Sequence, residues 1–122
     1  MKLIMAIIRI AKLQDTKKAL SDVDLPSFTA MAVTGRGKGH HDMEKSDSVD
    51  PEYLELMHQG DPRLKSKRMI TLVVADDKKD LAIETIIKTN QTDKSGDGKI
   101  FVVNATESVR VRTGETGEVT VD

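Results

Sequence analysis

The sequence predicts an α+β fold in which two helices cover a sheet of four or five strands. Apolar segments of strand length occur in a fixed order with two segments of helical periodicity. The predicted strands span residues 3–10, 28–35, 68–75 and 99–103, with a further short strand around 109–112, and the helices span residues 11–23 and about 76–90. The order β-α-β-β-α-β matches the ferredoxin-like, or split βαβ, sandwich with an extra C-terminal strand.

Each element follows from its local pattern. Residues 3–10 are almost continuously apolar and rich in isoleucine, which is typical of a strand in the middle of a sheet. In the first helix, Leu20 and Val23 lie three positions apart and share an apolar face, with charged residues on the other side. The second helix has a similar apolar face, and we expect Asp76 or Asp77 to cap its start.

The strands are apolar on both faces, although two helices on one side can cover only one of them. A large bare apolar face is unusual for a monomer. We therefore expect an oligomer in which the sheets pack face to face.

Composition restricts the class of protein. The chain of 122 residues fits one domain, residues 1–122, and the absence of cysteine excludes disulfides and thiolate metal sites. With 32% charged residues and a net charge of −1, we expect no general nucleic-acid binding, and 2% aromatic residues argue against an RNA-binding module. The longest apolar run near the N-terminus, residues 3–8, is too short to span a membrane, so we expect a cytoplasmic protein.

The connection between the second and third strands, residues 36–67, is far longer than a usual hairpin loop. The stretch GRGKGHH at its start is glycine-rich and basic, so it can bend and meet phosphate. Its histidines, His40, His41 and His58, do not have the spacing of a zinc site, and we expect no metal there. A loop of this length is generally functional, and a solvated surface loop is the alternative.

The most distinctive motif lies near the C-terminus, in TDKSGDGKIFV. Gly96 and Gly98 let the backbone approach a ligand closely, and Lys99 adds a positive charge. Arg110 and Arg112 follow at positions i and i+2, which point to one face of a strand. Together these residues predict a site for a polyphosphate. Two alternatives stay open: the glycines could only form a tight turn, and the arginines could only protect an edge strand.

These motifs resemble the PII signal-transduction family over nearly the whole chain. The similarity is carried by TDKSGDGKIFV, VRVRTGETGE, the N-terminal MKLIMAIIRIAKLQDTKKAL and the segment FTAMAVTGRGKG. Three details, GRGK, KRMITLVV and VRVRTGETG, are most similar to the nitrogenase-associated NifI branch, in particular its second paralogue.

The resemblance implies a ferredoxin-like trimer that binds ATP or ADP in clefts between subunits. The long connection, called the T-loop in the family, contributes to the cleft at its base, and the arginines come partly from the adjacent subunit's side. The cofactor-binding residues carried over from the family are Thr29, Gly35, Gly37, Lys38, Gly96, Asp97, Gly98, Lys99, Arg110 and Arg112. By this resemblance, Gly96 and Gly98 supply backbone to the phosphates, Asp97 shapes the turn, and Lys99, Arg110 and Arg112 contact the phosphates.

The chain departs from the family pattern at three positions. Most members have arginine where this chain has Lys38, and lysine lacks the planar fork of arginine. Many members place a glutamine at position 39 that helps to hold Mg²⁺ and 2-oxoglutarate. Gly39 has no side-chain oxygen, so the usual binding of these two ligands is in doubt. Tyr53 does not match the modified tyrosine of other members, and we predict no uridylylation.

The resemblance implies a regulator of nitrogen metabolism, not an enzyme, whose long loop binds a target such as nitrogenase. A general PII regulator of an ammonium channel or glutamine synthetase is one alternative. A nucleotide-hydrolysing enzyme is another, although no good general base lies near the phosphate motif. The oligomer could be a homotrimer, or a mixed trimer or hexamer with a paralogue. We expect the tail, residues 114–122, to be flexible or docked on a neighbour.

Overall fold

A computed structural model describes residues 1–37 and 64–121 of the chain. Four strands and two helices follow one another in the predicted order. They are β1 (Lys2–Ile8), α1 (Leu13–Asp22), β2 (Thr29–Gly35), β3 (Lys65–Val74), α2 (Lys79–Asn90) and β4 (Lys99–Asn104). Short 3₁₀ turns precede both helices, at Ile10–Lys12 and Asp76–Lys78, and a third lies at Glu118–Thr120.

The four strands form one antiparallel sheet in the order β2-β3-β1-β4. This order and the two helices confirm the predicted ferredoxin-like α+β fold. In the register of β1, Ile4 pairs with Leu72 of β3 on one side and with Val102 of β4 on the other. These three side chains therefore point to the same face of the sheet.

The core lies between that face and the two helices. Side chains alternate along β1 and β3, so that every second residue is buried. The helices add residues from one stripe each. The buried apolar side chains are Ile4, Ala6, Ile8, Leu20, Leu25, Ile70, Leu72, Val74, Ala82 and Ile86.

The opposite side of the sheet, here called the open face, is also largely apolar. The register aligns Leu3 with Val73 and Val103, and Met5 with Phe101. The helices α1 and α2 pack on the other side, the 3₁₀ turn at Glu118–Thr120 lies beside Leu3 and Val73, and Phe101 remains 48% exposed. The two-sided apolar pattern of the sequence is therefore present in the fold.

The prediction of an extra C-terminal strand around residues 109–112 is wrong. Val109 makes a single antiparallel bridge with Thr116, and the chain turns between them. The backbone carbonyl of Arg110 accepts hydrogen bonds from the amides of Thr113 (3.3 Å) and Gly114 (2.7 Å). Gly114 has a φ of 74°, which suits glycine, so this turn is favoured over an extended strand.

The expectation that Asp76 or Asp77 caps the second helix is also wrong. The helix α2 begins at Lys79, and no side chain hydrogen-bonds to its first amides. The preceding 3₁₀ turn likewise has no side-chain cap. The carboxylate of Asp76 instead lies 3.0 Å from the α-ammonium of Met1.

The long connection is bounded by Gly35, the last residue of β2, and Lys65, the first residue of β3. The final three residues of the predicted loop therefore belong to a strand. Its interior lies outside the described residues, together with the predictions for Lys38, Gly39 and Tyr53. In the part of the chain that is described, no helix is long and apolar enough to cross a membrane.

A buried polar contact joins the two helices and provides a test of the packing. The side-chain amide of Asn90 donates to the Thr16 hydroxyl (3.0 Å) and to the Ile86 carbonyl (2.9 Å). Thr16→Val should cost about 1–3 kcal/mol, because it leaves a buried amide hydrogen without an acceptor. The double variant Thr16→Val/Asn90→Leu should cost less than Thr16→Val alone, because it removes both polar groups.

Urea unfolding at fixed protein concentration would measure these free energies. Thr89→Val is the matched control, since the Thr89 hydroxyl bonds only to the Thr85 carbonyl of its own helix. Asn90→Leu alone completes the cycle, and if the cost of the double variant equals the sum of the Thr16→Val and Asn90→Leu costs, the two side chains are not a coupled pair.

Candidate functional site

The segment between α2 and β4, residues 91–98, folds against the end of β1 and is here called the glycine loop. Gly98 has a φ of 113°, and a Cβ atom at this position would lie 1.9 Å from the backbone carbonyl oxygen of Ile7. A side chain therefore has no space here, and its backbone conformation favours glycine. The close contact fixes where the loop sits on the sheet.

The carboxylate of Asp97 organises the glycine loop from within. One oxygen accepts hydrogen bonds from the backbone amides of Thr92 (2.7 Å) and Asp93 (3.0 Å). The other accepts from the Thr92 hydroxyl and from the guanidinium of Arg9, each at 2.5 Å. Asp97 thus shapes the loop, as the sequence predicts.

These contacts lower the pKa of Asp97 strongly, chiefly through the hydrogen bonds from Thr92 and then through Arg9. Since the pKa is lower in the folded protein than in the unfolded chain, the ionised carboxylate stabilises the fold. That contribution is fully present above the pKa of a free aspartate, about 4. It is lost as the pH falls through the folded pKa.

Two cationic side chains hold the backbone carbonyls of the loop. Arg9 donates to the carbonyl of Ser95 (2.8 Å), and the ammonium of Lys67 donates to the carbonyl of Gly96 (2.9 Å). Burial, followed by the nearby charges of Arg9 and Lys65, lowers the pKa of Lys67. Positive charge is therefore crowded at this end of the sheet, which favours an anion.

Lys99 follows the glycine loop and pairs with Ile7 in the sheet. Beside it, a groove of about 500 Å³ runs between α2 and β4. The groove is open to solvent, and its apolar lining comes mainly from Ile83, Ile86, Ile87, Ile100 and Val102. The cationic loop thus adjoins an apolar surface.

The root of the long connection lies at the same end of the sheet. Gly35 pairs with Lys65, two residues before the Lys67 that contacts the glycine loop. Gly37 follows shortly after β2, and Lys38 lies outside the described residues. Lys67 therefore links the root of the connection to the glycine loop. The end of the sheet that carries Gly35, Lys65 and Lys99 is here called the loop end.

The segment from Val109 to Thr116, here called the C-terminal hairpin, carries both predicted arginines. Arg110 pairs with the carboxylate of Glu115 (2.8 Å) and donates to the carbonyl of Val119 (2.9 Å). Arg112 lies in the turn, and its side chain has no hydrogen-bond or ion-pair partner among residues 1–37 and 64–121. Its neighbour Val111 is 97% exposed.

Thr29 lies near the hairpin and apart from the glycine loop. It lines a shallow depression together with Ser108 and Thr120, which flank the hairpin, and with Leu3 of β1. Leu3 is four residues from Ile7, which spans about 13 Å of strand. The structure therefore divides the predicted residues into three groups. Gly35, Gly37, Gly96, Asp97, Gly98 and Lys99 are at the loop end, Arg110 and Arg112 are in the hairpin near Leu3, and Thr29 pairs with Thr71 in line with Met5 at the middle of β1.

Sequence reasoning did not assign Arg9 or Lys67 to the site. Arg9 follows β1, and the antiparallel pairing of β1 with β4 brings it to the loop that precedes β4. A prediction that β1 pairs with β4 would have placed Arg9 beside the glycine loop. No group of three or more acidic or histidine side chains in the described ranges could hold a metal ion.

A family model described as Nitrogen regulatory protein P-II matches residues 1–115. The chain therefore belongs to this family and is a nitrogen regulatory PII protein. A Methanococcus maripaludis protein, "Nitrogen fixation nifHD region glnB-like protein 2", is 42% identical over 99% of this chain and 100% of its own. A Methanobacterium ivanovii protein of the same name is 44% identical over 97% of both chains. Escherichia coli (strain K12) "Nitrogen regulatory protein P-II 1" is 38% identical over 99% and 100%.

These similarities confirm the family that the sequence motifs predict. The names of the two archaeal relatives, both from nitrogen fixation regions, agree with the nitrogenase-associated branch and its second paralogue. The relatives and this chain are of nearly equal length, because each alignment covers almost all of both.

Replacing Gly98 tests the geometry of the glycine loop. Gly98→Ala should displace the loop and destabilise the protein by about 1–3 kcal/mol, because the new Cβ would collide with the Ile7 backbone and φ would be strained. Thermal and urea unfolding would measure the loss. Gly35→Ala is the matched control, since its Cβ would meet nothing within 4 Å. Equal stability of Gly98→Ala and wild type would contradict the close approach.

Proposed function

We propose that this PII protein binds ATP and ADP between two copies of the chain. The observation that carries the proposal is the division of the predicted phosphate-binding residues between opposite ends of one sheet. Lys99 and the glycine loop lie at the loop end, whereas Arg110 and Arg112 lie at the other. A second copy can bring its hairpin to the loop of the first, which one chain cannot do within itself.

The loop end has the chemistry of a phosphate site. Arg9, Lys67 and Lys99 lie at the loop, Lys65 is close enough to Lys67 to lower its pKa, and Asp97, one of the two acids in the loop, is already paired with Arg9. Arg112 has no partner in the described part of the chain, and arginine suits phosphate through its planar fork. The apolar groove beside Lys99 is open to solvent and adjoins the proposed phosphate site.

The exposed apolar side chains of the open face favour an oligomer in which further copies of the chain pack against it. It presents Leu3, Met5, Val73, Phe101 and Val103 on the side of the sheet opposite α1 and α2. Packing three such faces around an axis would bury them, and the proposed shared site requires that the same packing bring each hairpin to a neighbouring loop. We propose a trimer, formed by this chain alone or with a paralogue.

A mixing experiment tests the shared site. Lys99→Ala and Arg112→Ala should each weaken ATP binding by about tenfold or more, because each removes a charge-assisted contact to phosphate. When the two variants are co-assembled, about a quarter of the junctions combine an intact loop with an intact hairpin. ATP binding with near wild-type affinity should therefore return at about a quarter of the sites.

Isothermal titration calorimetry would give both affinity and stoichiometry. Lys17→Ala, an exposed change on α1 away from both groups, is the control. Unchanged affinity in both single variants would remove the phosphate assignment, and no recovered sites in the co-assembled protein would show that each site lies within one chain.

The proposed output is binding of a nitrogen-metabolism target by the long connection. Lys67 contacts the glycine loop and stands on β3 close to the root of that connection. A nucleotide at the loop can therefore change the position of the root, and ATP and ADP would favour different states. The relatives named for nitrogen fixation regions favour nitrogenase as the target. The second candidate is a general regulatory role, with an ammonium channel or glutamine synthetase as the target. The similarity to the relative named P-II 1 is compatible with this role.

We propose regulation rather than nucleotide hydrolysis. The acid nearest the phosphates, Asp97, accepts four hydrogen bonds, and its lowered pKa makes it a weak base. We include neither Mg²⁺ nor 2-oxoglutarate, because Gly39 offers no side-chain oxygen to hold them.

Affinity capture from nitrogen-fixing cells tests the output. Full-length protein should capture nitrogenase, with a recovery that differs between ATP and ADP. A variant lacking residues 42–61 should keep its oligomeric state and ATP affinity but lose the target, because the deletion leaves both strands at the root intact. Capture of an ammonium channel or glutamine synthetase would favour the second candidate. Undiminished capture by the shortened variant would exclude the loop as the binding element.

A further inference from the structure

We propose that Arg9 is a positioning residue of the phosphate site, which turns the backbone amides of the glycine loop toward the ligand and cancels the charge of Asp97. The inference rests on the proposed binding of nucleotide phosphates at this loop. Arg9 itself faces the inside of the loop, and its guanidinium is engaged with Asp97 and with the carbonyl of Ser95. It therefore acts through the loop rather than by touching phosphate.

The contacts of two loop carbonyls fix the direction of the peptide groups that contain them. In a trans peptide the N–H points opposite to the carbonyl, and the described residues contain no cis bond. The Ser95 carbonyl points to Arg9 and the Gly96 carbonyl points to Lys67. The N–H groups of Gly96 and Asp97, which share those peptides, consequently point away from the two cations.

These two amides are available to a ligand. Neither the Gly96 nor the Asp97 N–H makes a hydrogen bond of normal geometry within residues 1–37 and 64–121, although the turn at Ser95 and Gly96 directs the Asp97 N–H toward the Lys94 carbonyl. Successive N–H groups that converge on one side of a glycine-containing turn form an anion-binding concavity. The φ of 96° at Gly96 provides the left-handed conformation that such a turn requires.

Arg9 also changes the charge that a ligand meets at the loop. An unpaired carboxylate on Asp97 would repel a phosphate brought to the neighbouring amides. The Arg9 guanidinium lies 2.5 Å from that carboxylate, and both side chains are more than two-thirds covered by protein, so solvent screens the pair only partly. Arg9 thus neutralises Asp97 while Asp97 continues to hold Thr92 and Asp93.

The geometry requires arginine in particular. One terminal nitrogen of Arg9 bonds the carboxylate and the other bonds the Ser95 carbonyl, 2.8 Å away. A lysine ammonium is a point charge and cannot reproduce this fork. Arg9→Lys should therefore retain only part of the effect, whereas Arg9→Met should lose all of it.

The test compares four variants by calorimetry with ATP. Arg9→Met should weaken ATP binding by about tenfold, and Arg9→Lys should weaken it less. Arg9→Met/Asp97→Asn should bind ATP more tightly than Arg9→Met, since asparagine keeps an acceptor for the Thr92 and Asp93 amides but carries no charge. Lys18→Met is the control, because it removes an exposed ion pair with Asp22.

Recovery of ATP affinity in Arg9→Met/Asp97→Asn would show that Arg9 acts by positioning the loop. If Arg9→Met simply disrupted the structure of the loop, a second change there would weaken ATP binding further. The inference is overturned if Arg9→Met binds ATP like wild type, or if Asp97→Asn weakens the Arg9→Met protein further.

Hydrogen exchange of the nucleotide-free protein separates this inference from the proposed function. The Thr92 and Asp93 amides bond to Asp97, so in Arg9→Met and Arg9→Lys they should exchange faster than in wild type. Unchanged exchange would overturn the positioning role even if wild type binds ATP. A wild-type protein that binds no ATP, with faster exchange in the variants, would overturn the proposed function and leave Arg9 as an organiser of the loop alone.

Discussion

The contact between the glycine loop and the end of β1 is the constraint on which the candidate site depends. The Ile7 carbonyl occupies the space that a side chain on Gly98 would need, so this close approach of the loop to the strand requires glycine. Two residues further along the chain from Ile7, Arg9 reaches over the loop and pairs with Asp97. The close approach thus brings the loop to Arg9, and the side-chain contacts of Arg9, Lys67 and Asp97 then set the shape of the loop, the direction of its amides and its balance of charge.

The fold could be predicted from the sequence because its signals are local and consistent with one another. The apolar β1 segment and the helical spacing of Leu20 and Val23 specify elements whose order has few stable arrangements. The prediction for the VRVR segment was wrong because its alternating pattern indicates a strand, whereas Gly114 and the amides bonded to the Arg110 carbonyl favour a turn. In that competition, backbone hydrogen bonding outweighed the side-chain pattern.

The site was predictable only in its motifs. Gly96, Gly98 and Lys99 could be recognised from the sequence, because glycine and lysine have few equivalents at a phosphate loop. Arg9 could not be assigned in this way, because its contact with Asp97 joins residues 88 positions apart and exists only once β1 and β4 pair. The separation of Thr29 from the loop likewise depends on the register of the whole sheet.

A crystal structure of the protein with ATP tests the shared, phosphate-binding junction most directly. We expect the phosphates to contact the Gly96 and Asp97 amides and Lys99 of one copy, and Arg112 from the hairpin of the next. Nucleotide density confined to a single chain, or a junction that stays empty at saturating ATP, would contradict the central claim.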